Sequence, residues 1–259
     1  STGPSLAFYN EKLYLSFLNT DSTPALSLSS WDPASNNPAA WSTPYELSNA
    51  ANPSASYSSK YSPQLIDRGD ALGVVWVDAS TGTLASSYST TPDQSTTTGS
   101  WSTPTELLQR MESDSGVSFV PISATEAPSA SWLGGVPVLA LNNNGTINVY
   151  AGAQSGGSLE LTSSFTATSG EPAISSAPVL TTSDTGLALT YTNSDSSITL
   201  QRLNFVSSNG APLQGVQFNP DGSINTSNAD LQWQSTILTE SNSGISSSLA
   251  STPVSVNGN

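Results

Sequence analysis

The sequence predicts an all-β fold: a β-propeller of about four full four-stranded repeats plus one extra C-terminal strand, in a four- or five-bladed arrangement. Two observations carry this. Trp41-Ser42-Thr43-Pro44-Tyr45-Glu46-Leu47 returns as Trp101-Ser102-Thr103-Pro104-Thr105-Glu106-Leu107, and such self-similarity is the mark of a repeat architecture. Pro4, Pro63, Pro128, Pro178 and Pro253 each stand between a small residue and a short strand-like run, so five prolines share one register with a period of roughly sixty residues. A β-sandwich is the rival, and it predicts strands at regular spacing without a matching fourth-strand motif. The reading is one domain over 1–259, with repeats at about 3–57, 58–120, 121–171 and 172–244 and a partial fifth at 245–259.

Each repeat resolves into strands parted by turn residues. In the first, Pro4 to Phe8 is followed by a turn at Tyr9-Asn10-Glu11, then by Leu13 to Leu18, by the alternating stretch Ala25 to Trp31, and by Trp41 to Leu47. The second repeats that order with Ser62 to Ile66, Ala71 to Val77, Thr83 to Tyr88 and Trp101 to Leu107. The third has Ala127 to Trp132, Val136 to Leu141, Thr146 to Tyr150 and a fourth strand, Ser158 to Thr162, that lacks the tryptophan. The last has Pro178 to Thr182, Leu187 to Thr192, Ile198 to Leu203 and Trp233 to Leu238, with an insertion from Asn204 to Gln232. Glu106 to Glu112 is the best helical stretch, and it reads as a strand end. The tail Thr252-Pro253-Val254-Ser255-Val256 repeats the strand-one pattern of Gly3-Pro4-Ser5-Leu6-Ala7. Ring closure by this strand, or excision from a longer array, explains it better than a free strand, whose open edge invites aggregation.

Composition narrows the function. Charged residues are 9% of the chain and the net charge is −14, so no basic patch exists to neutralise phosphates, which argues against nucleic acid as a partner. There is no cysteine and no histidine, which removes disulfides, the usual zinc sites and any Ser-His-Asp triad. No apolar run of membrane-spanning length occurs, which argues against insertion. Lacking a signal peptide and rich in Ser, Thr and Asn, the chain reads as a mature or excised segment of a bacterial secreted or cell-surface protein.

The pattern Gly3-Pro4-Ser5-Leu6-Ala7, Lys12-Leu13-Tyr14-Leu15, Ala25-Leu26-Ser27 and Trp41-Ser42-Thr43-Pro44 resembles the repeats of bacterial sialidase-like and lectin-like β-propellers. The resemblance implies a propeller fold and not an activity. The sialidase Asp-box is met only in part by Thr182-Ser183-Asp184-Thr185-Gly186, which falls between strands one and two and not between three and four.

Three groups of residues stand out as candidates. Trp41, Trp101 and Trp233 recur once per repeat, and a large ring in that position seals one blade against the next. Trp31 and Trp132 do not recur; packing is their first reading, and stacking on a sugar face is the functional one. Asn19, Asp78, Asn142 and Asn193 each end a second strand, where Asn and Asp start turns or else present polar groups to glycan hydroxyls. Turn oxygens at Asp78, Asn142-Asn143-Asn144 or Asn219 with Asp221 leave room for one calcium ion.

Catalysis is disfavoured because strand one of every repeat lacks Asp and Glu, whereas propeller glycosidases hold their acids on innermost strands. The function expected is therefore a non-catalytic extracellular binding or adhesion module with a glycan or cell-surface partner. A glycoside hydrolase of propeller fold with loop-borne carboxylates, and a purely structural block of a larger surface or filament protein, are the alternatives; adjoining repeats of a longer parent chain, or self-association, are the further partners to expect.

Overall fold

The computed structural model describes residues 3–19, 24–49, 52–93, 101–133, 136–152, 158–166, 173–183, 186–207 and 229–237. Pro253 and the expected closing strand lie outside these residues, as do Asn219, Asp221 and Asp184. The chain divides into two compact units, Ser1–Leu107 with Pro121–Pro128, and Leu108–Val120 with Ser129–Asn259.

In the first unit, β1 (Ser5–Tyr9), β2 (Lys12–Leu18), β3 (Leu26–Trp31) and β4 (Tyr45–Glu46) form one sheet in that order. After a small hairpin of β5 (Ser48–Asn49) and β6 (Asn52–Ser56), the strands β7 (Gln64–Asp67), β8 (Leu72–Val77), β9 (Leu84–Ser89) and β10 (Thr105–Glu106) form the second. In the second unit, a hairpin of β11 (Leu108–Ser113) and β12 (Gly116–Pro121) joins the third sheet, made of β13 (Ser129–Leu133), β14 (Val136–Asn143), β15 (Thr146–Gly152) and β16 (Ser158–Thr166), with β11 parallel to β16. The fourth sheet is β17 (Val179–Ser183), β18 (Gly186–Thr192), β19 (Ile198–Ser207) and β20 (Ala229–Ile237). The four main strands of each sheet follow one another in chain order, which is the meander of a propeller blade and not the interleaved order of a Greek-key sandwich. The protein is all-β and built from propeller blades, as the sixty-residue period predicts. No helix among the described residues is long and apolar enough to cross a membrane.

The repeated Trp-Ser-Thr-Pro stretch works as a clasp. Ser42 donates its backbone N–H to Ser30 O at 2.7 Å while its hydroxyl accepts the Ser30 N–H at 2.9 Å, and Ser102 makes the same pair with Tyr88 at 2.9 and 3.1 Å. Ser29 and Ser87 return the favour from strand three, donating their hydroxyls to the Ser42 and Ser102 carbonyls. Pro44 and Pro104 then break the ladder because proline has no N–H to donate. The fourth strands are therefore shorter than the sequence suggests, only Tyr45–Glu46 and Thr105–Glu106.

Beyond each clasp the backbone closes a triangle. Leu47 N donates to Leu26 O, Leu26 N to Tyr57 O and Tyr57 N to Leu47 O, each at 2.8 Å. Leu107, Leu84 and Ile122 repeat it at 2.9, 2.8 and 3.0 Å. These triangles let a hairpin leave the blade and return without orphaning buried amides. Neither hairpin was expected from the sequence; Glu106 and Leu108 end one strand and begin the next, so the segment considered for a helix is indeed extended. The insertion in the last repeat is also narrower, because Asn204–Ser207 pair with Ala229–Gln232. Asp67 ends β7, which corrects the reading that no first strand carries a carboxylate. Its Oδ1 accepts the Gly69 N–H at 2.7 Å, so it shapes the turn.

Blades stack within each unit through their first strands. The core of the first unit gathers Tyr14, Leu28 and Leu47 from one blade with Leu65, Val74, Trp76 and Trp101 from the next. The hydroxyl of Ser5 accepts the buried Leu65 N–H at 2.9 Å, and Ser129 accepts the Leu180 N–H at 2.8 Å. Both serines directly follow a register proline. Replacing Ser5 or Ser129 by Ala strands a buried N–H and should cost about 1–3 kcal/mol in urea unfolding; a loss within experimental error would show that the tie is incidental.

Candidate functional site

The strand-two register Asn19, Asp78, Asn142 and Asn193 holds turns. Asn19 Oδ1 accepts the Ala25 N–H at 2.8 Å and its Nδ2 donates to Glu46 at 3.0 Å. Asp78 Oδ1 accepts from the Ser80 and Thr81 amides at 2.9 and 3.1 Å and from both hydroxyls. Burial works against the Asp78 charge, but those bonds outweigh it and hold the carboxyl below its ordinary range. Asn142 accepts the Gly145 N–H at 2.9 Å and donates to Ser176 O at 3.2 Å. Asn193 donates to the hydroxyls of Ser197 and Thr199, both at 2.9 Å. Asn142 and Asn193 are buried, which withdraws them from contact with a ligand, whereas Asn19 and Asp78 are half-buried.

The tryptophans separate sharply. Trp76 is buried and stacks on Tyr57, with centroids 5.0 Å apart and planes 7° apart. Trp101 is buried in the same core, its Nε1 3.5 Å from the Tyr45 hydroxyl, so it packs against the blade before it. Trp41 does not: it is 38% exposed. The reason lies in the repeat order, since Trp101 meets the blade before it, and within its unit Trp41 belongs to the first blade. The Trp41 ring instead lies 6.5 Å from that of Trp31, tilted by 32°. Trp31 is fixed by an Nε1–H bond of 2.8 Å to Asn37 O. The loop supplying that carbonyl is itself ordered: Asp32 caps the short turn Pro33–Ser35, Asn36 takes the left-handed conformation at φ 50°, and Ala40 N bonds Asn37 O at 3.0 Å. Trp31 and Trp41 thus form an aromatic pair at the surface, with exposed Asp32, Asn36 and Asn37 beside it.

This pair lies at the end of the first sheet opposite Asn19, so one blade does not bring the two candidate groups together. Trp132 is half-buried in β13, opposite Pro137. Trp233 pairs with Leu203 along the backbone of β20.

One charged cluster was invisible in the sequence. Asp93 meets Lys12 at 2.5 Å across 81 residues, and Ser30 and Tyr14 also hydrogen-bond to it. Burial opposes its charge, and these partners more than compensate, so its pKa is lowered. Burial, followed by the Asp93 charge, raises the pKa of Tyr14. Tyr45, whose hydroxyl donates to Pro92 O, is pushed up to about 12, chiefly by burial. Among the described residues no three His, Cys, Asp or Glu side chains gather as a metal site.

No family model matches the chain, and no curated protein matches it. Solved structures similar to it include Bacteroides ovatus xyloglucan PUL GH43B, at 12% identity and a TM-score of 0.46, covering 95% of this chain and 58% of that one. Others are a putative 6-phosphogluconolactonase from Bacteroides uniformis, at 14% identity and 0.40, covering 90% and 84%, and an alpha-L-arabinofuranosidase from Clostridium thermocellum, at 13% and 0.33, covering 86% and 95%. The chain spans less than two thirds of the first. None of these three is described as a sialidase or a lectin.

Two measurements check this geometry. Trp101→Ala should cost about 3–5 kcal/mol of stability as a buried aromatic truncation, and Trp41→Ala less than about half of that because its ring is largely in water already; equal losses would contradict the difference in burial. Because the folded pKa of Asp93 is depressed, its contribution to stability is present above the ordinary carboxylate range and is lost as pH falls through the folded value. The melting temperature of the wild type should therefore exceed that of Asp93→Asn at pH 7 and converge with it near pH 2; a gap that persists in acid would contradict the charge-based account.

Proposed function

We propose that the protein is a non-catalytic carbohydrate-binding module working outside the cell or at its surface, with the Trp31–Trp41 pair as its site. The observation that carries the reading is that the Trp31 ring, held by its Nε1–H bond to Asn37 O, stands at the surface beside the exposed ring of Trp41. A ring fixed in advance loses little freedom when a sugar face stacks on it, and Asp32, Asn36 and Asn37 stand beside it to meet hydroxyls. The polar, weakly charged surface fits an uncharged ligand.

A glycoside hydrolase of propeller fold with loop-borne carboxylates is the second reading, and Asp67 at the end of the first strand β7 gives it one inner-strand carboxylate to test. A glycan array read in parallel with a turnover assay decides between them. Binding to neutral glycans without turnover, weakened about tenfold by Trp31→Ala through the loss of roughly one stacking interaction, is the result expected. Sustained turnover lost on substitution of a single carboxylate would make the protein a hydrolase, and a blank array would make it a structural block.

A further inference from the structure

The turn that joins β14 to β15 is built on a chemically labile pair. Asn143 pairs with Thr146, so the loop between them is Asn144 and Gly145, both left-handed at φ 53° and 87°. Asn-Gly is the pair that so tight a hairpin turn favours. It is also the pair in which asparagine loses its amide most readily, because glycine has no side chain to shield its backbone nitrogen. Asn144 is exposed, so water and base reach it. The same dipeptide at Asn209-Gly210 and Asn257-Gly258 lies outside the described residues.

The reaction needs only the chain, base and one water. Base takes the Gly145 N–H proton, the nitrogen attacks Asn144 Cγ, a succinimide ring closes, and the side-chain nitrogen leaves as ammonia after regaining a proton. Water then opens the ring at either carbonyl, giving aspartate or isoaspartate and one new negative charge. Isoaspartate routes the backbone through an extra methylene, which a two-residue turn between registered strands does not accommodate.

The first step needs an accessible N–H, and the fold withholds it. Gly145 donates its N–H to Asn142 Oδ1 at 2.9 Å, while buried Asn142 donates from Nδ2 to Ser176 O at 3.2 Å. A hydrogen-bonded N–H meets base only when its bond opens, as in amide hydrogen exchange.

We infer that Asn144 is a latent deamidation site that Asn142 holds closed: it converts when the turn opens and is spared while the turn holds. Asn142 is then a positioning residue, acting through the Gly145 amide. The test is to age the protein in mildly alkaline buffer and resolve asparagine, aspartate and isoaspartate at position 144 by peptide mass spectrometry. Native wild type should convert about tenfold or more slowly than the chain unfolded in guanidinium chloride. Asn142→Ala should speed native conversion by about threefold to tenfold, the range one hydrogen bond sets. Ser129→Ala, which loosens the same unit elsewhere, should leave the rate unchanged. Native conversion as fast as in the unfolded chain would overturn the inference, as would no acceleration in a folded Asn142→Ala or equal acceleration in both variants. If Asn142→Ala does not fold, hydrogen exchange at the wild-type Gly145 amide decides: slowed exchange supports the lock, and exchange at the unfolded-chain rate overturns it.

Discussion

A single blade cannot bury both of its faces, and the rest of the structure depends on how its first strand is fastened to the next. Within the first unit that fastening is the Ser5 hydroxyl on the Leu65 amide; within the second it is Ser129 on Leu180. In each case the register proline places a serine at the start of the inner strand, and its small side chain reaches a backbone N–H that would otherwise be buried without an acceptor. Once this contact sets the spacing of two blades, apolar side chains fill the gap. Tyr14 and Leu28 meet Val74 and Trp101 in one continuous core. The hydrogen bond supplies register and the burial supplies the larger share of the energy.

The same logic explains why one motif has two fates. Trp-Ser-Thr-Pro closes strand four on strand three in both blades of the first unit through identical serine bonds. Its tryptophan is carried along to the same place on each blade. Where a preceding blade of the unit stands opposite, the ring is sealed, as for Trp101; where none does, as for Trp41, it stays accessible beside Trp31. A ring that is sealed in one repeat thereby stays partly exposed in another. The loop 32–40 completes the change by supplying the Asn37 carbonyl that fixes Trp31.

Much of the fold was legible because it is periodic. The duplicated fourth-strand motif and the proline register predicted four-stranded meanders, and alternation placed strands such as Ala25 to Trp31 within a residue of their observed ends. The excursions were not legible, since the triangles at Leu26, Leu47 and Tyr57 and at Leu84, Leu107 and Ile122 use backbone groups alone and leave no side-chain signature. Of the candidate site, Trp31 was singled out for failing to recur. For Trp41, recurrence identifies the position in the blade but not which neighbour covers it. The polar register at the ends of the second strands illustrates the converse: Asn142 and Asn193 have the right chemistry for a glycan, but burial and turn bonds engage them. Lys12 and Asp93 carried no local signal, being joined only by the stacking of one blade on the next.

The account comes down to whether the Trp31–Trp41 pair meets sugar while the chemically identical rings of the core do not. Assigned indole N–H resonances, followed during titration with xylohexaose and cellohexaose, test this most directly. The account predicts that Trp31 and Trp41 shift with one of the two sugars while Trp76 and Trp101, both buried, stay fixed. Unmoved Trp31 and Trp41 signals, or shifts at other tryptophans alone, would contradict it.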